Sequence, residues 1–249
     1  MRIVVIIPAR YRSSRFAGKP LAPILGKPMI QYVYEQSRAA RLIDEVWVAT
    51  DDQRIYDRVR SFGGQAILTS PNHESGTERV AEAARKIEAE IVINVQGDEP
   101  LIRPEAIDLL AKATVEDRQI LMATLKRKIE RKQDIHNPNC VKVVADRDGF
   151  ALYFSRSLIP FIRDSDTQSQ FPIYRHIGIY AYRKDFLLQI PLLPPSVLEQ
   201  AERLEQLRVL ESGYRIKVIE TDYESYGVDT PEDIFRIEEL LMRGNQPIA

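Results

Sequence analysis

Four cations and no acid stand between residues 10 and 19. They are Arg10, Arg12, Arg15 and Lys19, in the stretch Ala9-Arg-Tyr-Arg-Ser-Ser-Arg-Phe-Ala-Gly-Lys-Pro20. A Ser- and Gly-containing loop this basic suits a polyphosphate. Guanidinium groups take phosphate oxygens in pairs, and an ammonium acts as a compact point charge. The loop fits equally a solvated turn whose cations pair with nearby acids. It holds no Walker A pattern and no Gly-x-Gly-x-x-Gly, which weakens the P-loop and dinucleotide readings.

The acids that would complement this loop lie far away in the chain. Gln96-Gly97-Asp98-Glu99-Pro100 follows directly on an apolar run. A carboxylate at that place faces the same crevice as the basic loop. Asp98 therefore suits Mg²⁺, a hard cation that takes carboxylate and phosphate oxygens together. Glu99 reads as a turn residue before proline. In Gly227-Val-Asp-Thr-Pro-Glu-Asp233, Thr230 fits a helix N-cap, Pro231 the first helical position and Asp233 a capping-box-like partner. Asp229 is left over. If this segment folds back to the crevice, Asp98 and Asp229 make a two-carboxylate metal site.

Ser75-x-x-Glu78 is a capping box, which by itself explains those residues. The alternative is that the backbone of Ser75, Gly76 and Thr77 reads a nucleobase edge, with Arg79 nearby. The three histidines, His73, His136 and His176, lack metal-ligand spacing. Cys140 reads as a small apolar core residue.

Strand and helix signals alternate around these groups. Strands are expected at 2–8, 45–50, 65–68 and 90–95, and helices at 28–41, 51–62, 77–89 and 104–113. Asp51 is the expected cap of the second helix. This rhythm predicts an α/β fold with a mostly parallel, doubly wound sheet and functional groups at the carboxyl ends of its strands. The second half predicts a hairpin at 141–145 and 150–155 around Asp146-Arg-Asp-Gly149, and a strand at 177–182. Further on come one amphipathic helix over 196–211, a strand at 215–220 and a closing helix at 230–242. Glu205 and Gln206 lie on the polar side of the Leu-rich helix. The organisation is a single domain over 1–249 with a smaller β-rich lobe at about 140–190.

Composition narrows the partners. The 249 residues carry 35 Lys and Arg against 36 Asp and Glu, a net charge of −1, which argues against a nucleic-acid or acidic-membrane binder. The longest purely apolar run, residues 3–7, is far too short to span a bilayer, and Arg10, Arg12 and Arg15 follow it at once. A single cysteine excludes an internal disulfide. A cytoplasmic protein is expected.

Taken in order, the motifs resemble a known family. Ile-Ile-Pro-Ala-Arg-Tyr (6–11), Gly-Lys-Pro-Leu (18–21), Gly-Lys-Pro-Met-Ile (26–30), Ser-Gly-Thr-Glu-Arg (75–79) and Asn-Val-Gln-Gly-Asp-Glu-Pro (94–100) are similar to 3-deoxy-manno-octulosonate (KDO) cytidylyltransferases. Asn-Pro-Asn (137–139), Val-Lys-Val-Val (141–144), Tyr-Phe-Ser-Arg (153–156), Arg-His-Ile-Gly-Ile-Tyr (175–180), Leu-Glu-Gln-Leu-Arg-Val-Leu (204–210) and Gly-Val-Asp-Thr-Pro-Glu-Asp (227–233) continue the likeness along the whole chain.

The resemblance implies a nucleotide-diphospho-sugar transferase-like fold, with the β-rich lobe serving dimerisation in a homodimer. It implies a Mg²⁺-dependent reaction of CTP with KDO, giving CMP-KDO and pyrophosphate for lipopolysaccharide synthesis. By matching position, Asp98 and Asp229 would hold metal, and Arg10, Arg15 and Lys19 the triphosphate. Ser75, Gly76, Thr77, Arg79 and Gln96 would recognise cytidine. Arg163, His176, Tyr180, Glu205 and Gln206 would line the sugar site, with Arg163 nearest the sugar carboxylate. The loop at 164–169 is expected to close over it.

Three departures stand out. Ala17 replaces a common proline in the basic loop, Cys140 a common alanine, and Glu224-Ser225-Tyr226 a Pro-Gly-Thr turn before Gly227. The alternative functions are a cytidylyltransferase for a related acidic sugar, such as 8-amino-KDO or a nonulosonic acid, and a catalytically silent nucleotide-binding protein.

Overall fold

The apolar run near the N-terminus forms the central strand β1 (Ile3–Ala9), in which Val4 to Ile7 are wholly buried. Its continuous apolarity follows from burial on both faces. Ile3, Val5 and Ile7 join one core layer with Ile30, Val33, Ile55, Ile107 and Leu110, while Val4 and Ile6 join the opposite layer with Val80, Ala84, Phe186 and Leu207. The computed structural model describes residues 1–12, 16–163 and 171–244.

After β1 come a 3₁₀ turn (Lys19–Leu21), the two-residue strands β2 (Pro23–Ile24) and β3 (Lys27–Pro28), and helix α1 (Met29–Arg38). Then follow β4 (Glu45–Thr50), α2 (Gln53–Ser61), β5 (Gln65–Leu68), α3 (Gly76–Lys86), β6 (Ile91–Asn94) and α4 (Pro104–Glu116). The second half comprises β7 (Met122–Lys128), α5 (Lys132–Ile135), β8 (Lys142–Ala145), β9 (Ala151–Ser155), β10 (Tyr174–Arg183) and α6 (Lys184–Gln189), followed by a 3₁₀ turn at Ile190–Leu192. It ends with α7 (Val197–Glu202), α8 (Gln206–Glu211), β11 (Lys217–Glu220) and α9 (Pro231–Gly244).

The main sheet runs β11-β7-β10-β6-β1-β4-β5. Its pairs β6-β1, β1-β4, β4-β5 and β7-β11 are parallel, and β10 lies antiparallel between β6 and β7. The α/β, mostly parallel architecture is as expected. Within 140–190, β10 belongs to the interior of this sheet. The β8-β9 hairpin extends from it through the pair Arg175↔Lys142. Among the described residues no helix is long and apolar enough to cross a membrane.

Three local expectations need correction. Asp52, not Asp51, caps α2, accepting the Arg54 N–H at 3.0 Å; Asp51 instead lies 3.3 Å from Arg79. The strand β7 was not expected, because its apolar residues 122–125 run into Lys126-Arg127-Lys128. The single helix over 196–211 is two helices, broken where Arg203 takes a left-handed conformation at φ 55°. That break sets Glu205 and Gln206 at the start of α8, turned toward the sheet rather than along one continuous helix face.

Two devices bring the strand ends together. Gly97 follows β6 so closely against β1 that a Cβ there would lie 2.7 Å from the Pro8 carbonyl oxygen. Any side chain would force the two strand ends apart. A third small core, Ile24, Met29, Val228 and Ile237, docks α9 and the chain before it against the β2-β3 hairpin.

Candidate active site

Two adjoining clefts open along the carboxyl ends of β1 and β6. The first, of about 280 Å³, is lined by Pro8, Ala9 and Arg10 from the end of β1, by Lys19, and by Gln96, Gly97 and Asp98 after β6. His73, Glu74, Ser75, Gly76 and Arg79 around the start of α3 close one side, with Glu205 and Asp229. The second, of about 290 Å³, is lined by Thr77, His176, Gly178, Tyr180, Arg203 and Gln206 among others. Gly76, Gln96 and Glu205 line both, so the two clefts are continuous.

Lys19 is the electrostatic centre of the first cleft. Its ammonium donates to Asp98 Oδ2 at 2.6 Å and to the Val228 carbonyl at 2.7 Å, and lies 3.9 Å from Asp229 Oδ1. The segment before α9 thus does fold back to the strand ends. Asp98 and Asp229 converge on one positive charge. Asp233 receives the Asp229 and Thr230 N–H groups, each at 2.8 Å, which fixes the entry to α9.

The start of α3 is a capped terminus. Ser75 Oγ accepts the Glu78 N–H at 3.2 Å, and Glu78 accepts the Glu74 N–H at 3.0 Å. Arg79 is buried, and its guanidinium is held by Thr69 at 2.6 Å and by Asp51. It therefore forms the wall of the first cleft with its charge already matched. His73, one of the three histidines without metal-ligand spacing, lines the same cleft and meets Glu82 at 2.6 Å. Burial alone would raise the Glu82 carboxyl. The Ser70 N–H, His73 and Lys86 outweigh it and hold the group at about 2.

Thr77 faces the second cleft, where its hydroxyl donates to Glu205 Oε2 at 2.6 Å. Glu205 is enclosed by protein yet open to solvent through the clefts. That enclosure raises its carboxyl pKa against the opposing hydroxyls of Thr77 and Ser75. Gln206 is buried, and its Nε2 has no protein acceptor among the described residues. A buried donor in that state calls for an acceptor beyond the described residues, such as water or a ligand.

His176 is oriented by Thr124 on β7, a residue the sequence reading passed over. Between Ile177 and Tyr180 the register of β10 against β7 shifts, a bulge whose carbonyls need a donor. The Thr124 hydroxyl reaches Ile179 O at 2.8 Å and Ile177 O at 3.1 Å, and also lies 2.8 Å from His176 Nε2. With its single proton turned to a carbonyl, it would accept from His176 Nε2–H, the arrangement of the Nε2–H tautomer with Nδ1 as acceptor. Enclosure, with Arg175 adding to it, pushes the His176 pKa down to about 3. The imidazole packs edge-on to Phe154, with ring centres 4.9 Å apart, and against Tyr180.

Arg163 is exposed and lines neither cleft; Arg203, at the helix break, is the cation that lines the second. Arg15 and the loop at 164–169 lie outside the described residues. Glu99 is more than a turn residue. Its Oε2 accepts the Tyr223 hydroxyl at 2.9 Å, and its Oε1 accepts from Ser225. Burial raises its carboxyl pKa, opposed by the Ser225 hydroxyl.

A mostly parallel sheet whose strand ends bring Arg10 and Lys19 beside Asp98 and Asp229, against a capped helix start, suits a nucleotidyl-transfer class of protein. The cytidylyltransferase family model matches residues 4–219. A 3-deoxy-manno-octulosonate cytidylyltransferase of Geotalea uraniireducens is 54% identical, the match covering 98% of this chain and all of that one. One of Geobacter sulfurreducens is 53% identical over 97% of this chain and all of its own length. A solved CMP:2-keto-3-deoxy-manno-octonic acid synthetase complexed with CTP superposes with a TM-score of 0.93 at 45% identity, covering 98% of this chain and all of that one. A 4-diphosphocytidyl-2C-methyl-D-erythritol synthase from Anaerococcus prevotii shares the fold, with a TM-score of 0.66 at 16% identity over 97% of this chain and 96% of that one. This chain belongs to the 3-deoxy-manno-octulosonate cytidylyltransferase family.

Proposed function

We propose that the chain transfers CMP from CTP to the anomeric hydroxyl of KDO, releasing pyrophosphate. The carrying observation is the continuity of the two clefts. One of mixed charge, centred on Lys19, Asp98 and Asp229, joins, through Gly76, Gln96 and Glu205, a second one rich in hydrogen-bonding groups. CTP suits the first, with its triphosphate toward Arg10 and Lys19 and its base toward residues 75–79 and Gln96. The acidic sugar suits the second, where His176 Nδ1 offers an acceptor and Gln206 Nε2 a donor. Arg203, which lines this cleft, is a cation available to its carboxylate.

In the reaction, the sugar's anomeric oxygen forms a bond to the α-phosphorus and loses its proton to water. The bond from that phosphorus to the β-phosphate oxygen breaks, and the electron pair leaves with pyrophosphate. Lys19 and Arg10 offset the negative charge that grows on the leaving group. Gln96 and Glu205, shared by both clefts, hold the two substrates in reach of each other, converting an encounter of two anions into a positioned pair.

The donor set fits Mg²⁺. Asp98 and Asp229 present carboxylate oxygens, and Val228 a carbonyl oxygen, around a single positive charge, and Mg²⁺ selects such hard ligands while keeping several waters. Asp98 and Asp229 would hold it. Bound there, it would polarise phosphate oxygens and neutralise charge.

The further parts of the reading are a cytoplasmic homodimer, with the β-rich lobe at about 140–190 in its interface, and a product used in lipopolysaccharide synthesis. The test is pyrophosphate release from CTP against KDO, 8-amino-KDO and a nonulosonic acid. Preferred turnover of KDO supports the reading. Preference for another acidic sugar reassigns the second cleft, and CTP binding without turnover of any of them makes the chain a silent nucleotide binder.

A further inference from the structure

Residues 221–230, which deliver Asp229, contain no helix and no strand. A segment without its own hydrogen-bond ladder takes its position from the tethers that others supply. Three of them come from one place, the turn after β6. The Asp98 carbonyl accepts the Val228 N–H at 2.9 Å, and Lys19 links the Asp98 carboxylate to the Val228 carbonyl. The third is Glu99, whose two carboxylate oxygens each take one hydroxyl, from Tyr223 and from Ser225. A Cβ on Gly227 would lie 3.7 Å from Glu99 Oε1, so the chain passes directly over this carboxylate on its way to Asp229. The turn itself is stiff, with Glu99 N–H donating to Gln96 O and Ile102 N–H to Glu99 O.

We propose that Glu99 is a positioning residue for the Asp98–Asp229 pair: by clamping the Tyr223 and Ser225 hydroxyls it sets where Asp229 stands relative to Asp98. This rests on the metal assignment made above. Adjacent residues of one turn do two jobs, Asp98 offering a ligand oxygen and Glu99 holding the strand of chain that brings the other.

The test compares Ser225→Ala, Glu99→Ala and Glu99→Gln with the parent, using Mn²⁺ binding to the nucleotide-free protein by electron paramagnetic resonance, half-saturating Mg²⁺ in turnover, and thermal melting. Ser225→Ala and Glu99→Ala are expected to bind Mn²⁺ about tenfold more weakly and to need correspondingly more Mg²⁺, with KM for CTP unchanged. Glu99→Gln, which keeps one acceptor and can donate to the second hydroxyl oxygen, is expected to stay near the parent. If Glu99→Ala does not fold, Ser225→Ala decides. Parent-like Mn²⁺ affinity in folded Ser225→Ala, with Asp98→Asn and Asp229→Asn both weakened, overturns the clamp alone. Unchanged Mn²⁺ binding in the two aspartate variants overturns the metal assignment, and the clamp with it.

Discussion

Lys19 Nζ lies 2.6 Å from Asp98 Oδ2 and 3.9 Å from Asp229 Oδ1, so one ammonium draws together two carboxylates from distant parts of the chain. Only 14% of the lysine side chain is exposed, while Asp98 at 35% and Asp229 at 53% stay open to solvent and to its screening. Replacing Lys19 by Met removes the charge offered to the triphosphate and leaves the two acids facing each other. The expected loss is about 100- to 1000-fold in kcat/KM, the scale for deleting one preorganised charge-stabilising donor. Steady-state kinetics beside a melting curve checks this. A folded variant with parent kinetics would remove Lys19 from the machinery.

Thr124 tests the sugar side. Thr124→Val keeps the shape but deletes the hydroxyl that accepts from His176 and serves the bulge carbonyls. The expected outcome is a KM for KDO raised about tenfold, in line with losing one partner of an orienting hydrogen bond, with KM for CTP unchanged. Thr124→Ser should behave as the parent. Equal changes in both KM values would show a general disturbance of the sheet instead.

His176 also sets a pH expectation. With its pKa pushed down to about 3 by burial, it stays neutral wherever the fold persists. It therefore contributes no limb to the profile of kcat against pH around neutrality. The linkage runs in one direction: below the ordinary value of 6.5 the unfolded chain takes a proton that the folded ring refuses, so stability falls as pH drops from 6.5 toward 3. Thermal melts of parent and His176→Asn across that window should converge as pH falls. A constant gap between the two would contradict the assignment.

Glu82 gives a second acid-side prediction, on the helix that forms the wall of the first cleft. Its pKa is held at about 2 against an ordinary 4.5, so the stability it confers is complete above 4.5 and lost as pH falls toward 2. Glu82→Gln should melt below the parent at neutral pH and lose less on acidification. It should also raise KM for CTP, because His73 on the cleft wall loses its partner. Parallel melting curves at every pH would show that Glu82 carries no such linkage.

What was legible in the sequence follows from how each feature is encoded. The run at β1 announces itself because a strand buried on both faces is continuously apolar, and the motifs after β1 and β6 sit at the strand ends of an alternating pattern. β7 was hidden by its three consecutive cations. The break at Arg203 carries no Gly or Pro, and a left-handed arginine leaves no mark on an amphipathic pattern. The partners of Glu99 and His176 were out of reach for a different reason. They depend on a fold-back from residue 223 and on a bulge register, and neither is a local property. The pairing of Asp98 with Asp229 was expected only if the chain folds back; the fold-back itself and their shared partner Lys19 are what the structure adds.

The central claim is CMP transfer at a cleft built on these two aspartates. The most direct measurement follows pyrophosphate and CMP-KDO formed from CTP, KDO and Mg²⁺ by the purified chain, with Asp98→Asn and Asp229→Asn in parallel. The account predicts equal amounts of the two products from the parent, and a loss of about 100-fold or more in each variant. Absence of KDO-dependent pyrophosphate release by the parent, or parent-rate turnover in both folded variants, would contradict it.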